Sequence, residues 1–216
     1  MQSQQQFTHP DPTSGNNYSE NCREILMQLD DLKEKFYSSK DNKKHLLFKK
    51  SQKNECAKSV SDQVNIENVM NMSFFCIKTR QEEQQSDFYL NYSLMKMYLN
   101  DDNYQSITDA LIHKLTETIG TGGQRHPIRV HMNLNTFSVS AAERYKHVVQ
   151  YFSQKCRDDE IVLTPYISNL IIYYTPSVMD NIISILTLFI EPDMLSKLIL
   201  IPKEESESKL EELFNY

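Results

Sequence analysis

The stretch that most limits how this chain can fold runs from Ile161 to Lys203. Ile161–Leu163 and Leu170–Tyr174 are dense in β-branched and aromatic residues, as strands are. Thr175-Pro176-Ser177 ends the second run, because proline has no N–H to give to a ladder. Val178 to Ile190 predicts a helix, with Asp180, Asn181, Ser184 and Thr187 in one narrow polar stripe and large apolar residues over the remaining surface. Pro192 ends that helix, and Leu198–Ile201 is another apolar run, closed by Pro202. Strand, helix and strand with a nearly all-apolar last run predict a buried parallel sheet.

A helix so apolar needs cover on most of its circumference. Each large side chain gains about 1.5–3 kcal/mol on full burial, so water is not its normal neighbour. Two expectations follow for 178–190. It is a core helix packed on the sheet, or it sets one face on protein and another on an apolar ligand, a partner or a membrane.

The preceding chain supplies more elements of both kinds. Val69–Ile77 predicts a strand, Asp87–Leu99 a helix, and 104–119 a second helix with Tyr104, Ile107, Leu111, Leu115 and Ile119 inward. Ile128–Leu134 alternates, with Ile128, Val130, Met132 and Leu134 on one face and Arg129, His131 and Asn133 on the other, which predicts a strand with one polar face open to solvent or a ligand head. Ser140 caps a predicted helix over 141–156. Residues 1–17 read as a disordered tail. Residues 18–68 read as a helical, lysine-rich extension that includes a helix over 19–38 with Ile25, Leu29, Leu32 and Phe36 on one face. Within it, 45–48 and 60–66 are candidate short strands or helix turns. Residues 69–216 then form an α/β domain, a mostly parallel sheet flanked by helices with an N-terminal helical appendage.

Charge and cysteine usage narrow the function classes. The net charge of -6 gives no support for nucleic-acid binding, although nine lysines crowd 33–58 and five glutamates crowd 204–212. Four scattered cysteines with no CxxC predict reduced thiols in a cytoplasmic protein rather than a zinc site. The first residues do not resemble a signal peptide, and 182–190 is too short to span a bilayer, so peripheral membrane contact is the most expected of it.

No residue set assembles a catalytic centre. Gly120-Thr-Gly-Gly123 follows a helix and precedes a strand, the reverse of a phosphate-binding glycine loop. His126 and His131 have no carboxylate nearby in sequence. Ser138 and Ser140 lack elbow glycines, and Cys156 precedes an acidic stretch that disfavours a thiolate. Asp101-Asp102 and Asp158-Asp159 occupy turns, where aspartate is ordinary. The expectation is a protein that is not an enzyme, with no cofactor and no metal.

The second half resembles the CRAL-TRIO lipid-binding family, in its divergent, BCH-like branch. The resemblance rests on the strand Ile128–Leu134 with Asn135-Thr-Phe-Ser138, on Tyr166 to Pro176, on Ile182 to Phe189 as a gate-like helix, and on Ile190 to Ile199 with its proline-containing loop. It covers 69–213. It implies a lipid-binding or lipid-transfer-like module that holds an apolar ligand between the sheet and helix 178–190. Met132, Leu134, Phe152, Tyr173, Ile182, Leu186 and Phe189 are candidate wall residues, and Lys197, Arg144 and Lys146 are candidates for a headgroup or an ion pair. The acidic residue near the family's strand turn is replaced by Asn133 and Asn135. The alternative is a protein-interaction or scaffold module on the same fold with a filled pocket, meeting its partner through 19–38. Empty space beneath 178–190 favours the first reading and tight packing favours the second.

Overall fold

The computed structural model describes residues 15–39, 49–77, 85–120, 125–187 and 190–215. Two asparagines set boundaries that decide the sheet. The Asn65 side chain accepts from Asn68 N–H at 3.1 Å and starts a helix (α3, Ile66–Ser73), so the strand that follows is only Phe74–Ile77 (β1). Asn91 accepts from the N–H groups of Ser93 and Leu94, at 3.0 and 3.4 Å. It divides the predicted helix at 87–99 into a strand (β2, Ser86–Asn91) and a short helix (α4, Tyr92–Tyr98). The helical spacing of Phe88, Tyr92, Met95 and Leu99 straddles that junction, and Phe88 and Leu90 are equally the alternate positions of a strand.

Five strands make one sheet in the order β1-β2-β3-β4-β5, with β3 at Ile128–Asn133, β4 at Ile167–Tyr173 and β5 at Leu198–Leu200. β1 is antiparallel to β2, and every later pair is parallel. Ile161–Leu163 is not a strand. It runs irregularly into a 3-10 turn, Thr164–Tyr166, where Pro165 cannot donate to a ladder.

The crossovers are α5 (Tyr104–Ile119), α6 (Val139–Asp158), and α7 (Met179–Leu186) followed by the single turn α8 (Pro192–Leu195). α5 touches α6 and α6 touches α7, so these helices lie side by side on one face, as right-handed crossovers between sequential strands require. α7 is shorter than the predicted 178–190 and ends at a turn at Thr187; residues 188–189 lie outside the described ones.

The other face is covered by the first and last described helices, α1 (Gly15–Ser38) and α9 (Lys203–Phe214). Tyr18 of α1 stacks on Phe214 of α9 at 4.6 Å between ring centroids. Both meet Tyr89 of β2, and Phe75 of β1 closes the group 5.0 Å from Tyr18. Tyr18, Cys22 and Leu29 therefore share one hydrophobic core with the sheet, as do Cys56 and Val60 of α2 (Lys49–Ser61). Within 45–66, Val60 lies at the end of α2 rather than in a strand, and 45–48 fall outside the described residues. Tyr174, at φ 54°, turns the chain out of β4, and its N–H donates to Ser206 Oγ at 2.7 Å, which fixes the start of α9 against the sheet.

Candidate functional site

Two regions gather polar side chains against the hydrophobic core. The first lies on the sheet face beneath α1 and α9. Register brings Asp87 of β2 beside Arg129 of β3, and His131 stands two residues further along the same face. Arg129 Nε and Nη2 donate to the two Asp87 carboxylate oxygens at 2.6 and 2.8 Å. His131 Nε2 lies 3.0 Å from Asp87 Oδ1 and His131 Nδ1 lies 2.9 Å from the Tyr173 hydroxyl of β4. A carboxylate only accepts, so Nε2 carries a proton; in the neutral ring Nδ1 accepts from Tyr173. His131 is 4% exposed and Asp87 5%, so the polar face of β3 is not the solvent-facing surface expected of it. At His131 it is interior, and its partner carboxylate comes from β2, in the stretch whose spacing predicts a helix. Burial works to raise the Asp87 carboxyl, but the hydrogen bonds and charges of His131 and Arg129 outweigh it and hold the group below its ordinary value. Burial, then the Asp87 charge, push the Tyr173 hydroxyl up to about 12.

The space beneath α7 is packed. Ile182 is 0% exposed and clusters with Met179, Ile172, Leu134, Ala141 and Ala142. Met132 is half-buried between this cluster and the main core, and Phe152 is half-buried against the main core. Tyr173 belongs to the opposite face, with His131. The Leu186 side chain and all of Phe189 lie outside the described residues. The predicted wall residues that are described are thus divided between the two faces of the sheet. Of the candidate headgroup residues, Lys146 pairs with Glu143 at 3.0 Å on the exposed side of α6, and Lys197 Nζ donates to the Thr164 carbonyl.

Arg144 is different, because it lines a cavity. This second polar region lies between α2, the turn from α4 to α5, and α6, with a volume of about 420 Å³. Leu99, Tyr145 and Val148 supply apolar surface, and Lys53, Asn54 and Arg144 supply polar groups. The Arg144 guanidinium lies 5.3 Å from the centre of the Tyr145 ring. Asn54 Oδ1 accepts from Asp101 N–H at 2.8 Å, and His147 Nε2 stands 3.7 Å from Asp101 at the rim.

No family model and no curated protein matches this chain.

Its own geometry therefore carries the functional argument. The Asp87 group can hold three strands in register, with its hydrogen-bonding groups spent on one another. The cavity can hold a small molecule, since it joins apolar walls to a few convergent polar groups, as ligand sites do. Among the described residues no cluster of three or more His, Cys, Asp or Glu could hold a metal, and no helix is long and apolar enough to cross a membrane. Lys53, Asn54 and Asp101 were not singled out as binding residues from the sequence. Lys53 sits in the lysine-rich segment, but nothing in that run distinguishes the lysine that α2 turns toward α6.

Proposed function

We propose that this protein is a non-enzymatic binding module whose ligand occupies the cavity between α2, the α4–α5 turn and α6. The observation that carries the reading is the cavity itself, about 420 Å³ with Arg144, Lys53 and Asn54 set among Leu99, Tyr145 and Val148. Its size falls within the range of small-molecule sites, roughly 300–1,000 Å³. The likeness to CRAL-TRIO proteins suggests an amphiphile as ligand, and a lipid is the ligand class we favour on that ground. An apolar chain lodged between the sheet and α7 would have to displace Ile182, so we assign the binding to the cavity instead. The absence of catalysis in this reading is supported by the Asp87–His131–Tyr173 group, whose members are buried and engaged with one another. The four cysteines are free thiols, which fits a cytoplasmic protein with at most peripheral membrane contact.

Native mass spectrometry of the freshly purified protein tests this. A co-purifying mass is expected on the wild type and should be lost from Ser51→Trp, in which an exposed α2 residue at the cavity wall is exchanged for a side chain large enough to fill it. An unchanged thermal melt shows that the variant folds. A mass retained by the folded variant removes the cavity as the site.

A second reading, a protein-interaction module, is favoured by β5. Lys197 O accepts from Leu170 N–H and Ile201 N–H donates to Ile172 O, so the main-chain groups of Leu198 and Leu200 point to the open edge of the sheet. Ile199 and Leu200 are 40% and 41% exposed there. An apolar edge of this kind suits addition of a partner strand. The α1 face carrying Ile25, Leu29, Leu32 and Phe36 suits a partner less well, because it already packs on this protein's own core.

A further inference from the structure

Among the described residues β5 ends the sheet, and its free main-chain groups stop at matched positions on either side of Ile199. Lys197 O and Ile201 N–H bond to β4, so the alternation of a strand turns the N–H and C=O groups of Leu198 and Leu200 outward. The next outward positions are 196 and 202, and neither offers a donor. Ser196 N–H donates to Pro192 O at 3.2 Å, within the α8 turn. Pro202 has no N–H, and its carbonyl accepts from Glu205 N–H and Ser206 Oγ at 3.2 and 2.8 Å. The open stretch is therefore Leu198–Leu200, with Ile199 at its centre.

Such a stretch fits itself. Antiparallel pairing of two copies about a two-fold axis at Ile199 sets Leu198 opposite Leu200 of the other copy, and Leu200 opposite Leu198. Each of these pairs exchanges both main-chain bonds, so every outward group of the stretch finds a partner. The blocked positions, 196 and 202, then face each other, so no free donor is set against a blocked one. The side chains match as well. Ile199 meets its counterpart in the closer, non-hydrogen-bonded kind of pair, and the leucines meet on the opposite face, where Leu198 packs beside the Ile182 cluster. Lys197 stands opposite Ile201, so no like charges meet across the ladder. Edge strands are commonly guarded by a charge, a proline or a bulge, and Leu198-Ile199-Leu200 carries none of these. At the other end of the sheet Phe74 and Phe75 of β1 are buried, and α3 and α5 pack against that strand. Among the described residues β5 is the one strand with exposed large apolar side chains, so its self-pairing closes with two copies instead of growing a filament.

We infer that β5 joins two copies of this chain into a reversible dimer, by antiparallel pairing of Leu198–Leu200 across a two-fold axis at Ile199. The inference rests on the second reading above, β5 as an interaction edge, and names its partner. The pairing extends the sheet from five strands to ten and uses none of the residues that line the cavity. A ladder this short is far smaller than a standard interface of about 1,600 Å², so the dimer dissociates on dilution.

Sedimentation velocity of the full chain over a concentration series tests this. A monomer–dimer equilibrium is expected. Ile199→Lys sets two ammonium groups against each other at the axis and should weaken it by about tenfold or more. Leu200→Pro removes an outward donor and leaves the bonds to β4 in place; it should weaken the dimer to a similar degree. Met27→Lys, which replaces an exposed apolar residue of α1, should change it by less than about twofold. Circular dichroism shows that each variant is folded. Oxidative cross-linking reads the register, with the wild type's own thiols as background. Ile199→Cys, with Cα atoms about 4.5 Å apart at the axis, should form a disulfide-linked dimer. Leu200→Cys, whose counterpart lies beyond the roughly 7 Å limit, should not. A wild type that is monomeric at every concentration overturns the inference. So does a dimer that both β5 variants weaken no more than Met27→Lys does, or one that Leu200→Cys cross-links in place of Ile199→Cys. Should the chain stay monomeric while a labelled peptide of residues 196–202 binds it and is lost from Leu200→Pro, the edge still takes a strand and only the second copy is wrong. If the peptide fails too, the interaction reading of β5 falls with it.

Discussion

The sheet beneath α1 and α9 and the cavity beside α2 both gather polar side chains from distant segments, but they complete their bonding differently. In the sheet, Asp87 receives Arg129 and His131, and His131 meets Tyr173, so each polar group has its partner within the protein. In the cavity, Arg144 lies on an aromatic ring and forms no ion pair among the described residues, although Asp101 lines the same cavity. A buried group that satisfies its own bonds gives stability and register, whereas charge left over at a concave surface points to something that comes from outside. On the function we propose, that difference separates scaffold from site.

The largest way to break this contrast is to open the sheet network. Asp87→Ala leaves the His131 Nε2–H unpaired in the interior and takes the carboxylate from Arg129. Losing one partner of a buried pair costs about 3–5 kcal/mol. Because Arg129 keeps some contact with solvent, we expect about 3 kcal/mol, read from urea denaturation. A loss under about 1 kcal/mol would mean that the sheet does not depend on this network.

A smaller effect should appear in acid. The Asp87 carboxyl titrates lower in the folded chain than in the unfolded one, where an aspartate sits near about 3.9. Its contribution is therefore fully present above about pH 4 and is lost as pH falls through the folded value. The stability gap between the wild type and Asp87→Asn should narrow below about pH 4 and stay level from there to neutrality. A gap that is constant down to about pH 2 would show that the carboxylate charge is not what His131 and Arg129 recognise.

How much of this was legible in the sequence depended on the distance over which each signal acts. Helix α5, the alternating strand at Ile128 and the parallel arrangement with its flanking helices are local or periodic features, and they appear as expected. β2 was hidden because Asp87–Leu99 satisfies the helical period by the coincidence of residues on both sides of the Asn91 cap. That one boundary concealed the partner of His131, since only as a strand does 86–91 bring Asp87 alongside β3. Residue 161 begins a run rich in β-branched residues that remains irregular, because Pro165 interrupts it before a ladder can form. The cavity was legible only in part. Arg144 was named as a candidate, but Lys53 and Asn54 become its neighbours through the packing of α2 on α4, and no periodicity in a lysine- and asparagine-rich segment announces that.

The smallest expected effect is the one that sharpens the contrast most. Arg144→Gln removes a full charge from a cavity wall, yet it breaks no ion pair among the described residues and leaves the Tyr145 ring in place. Its cost to the unliganded fold should stay within about 0.5 kcal/mol, the scale of an ordinary surface substitution. Urea denaturation of the two proteins gives the value directly. A loss of about 2 kcal/mol or more without ligand would instead make Arg144 a structural cation like Arg129. The two polar regions would then differ in place but not in kind.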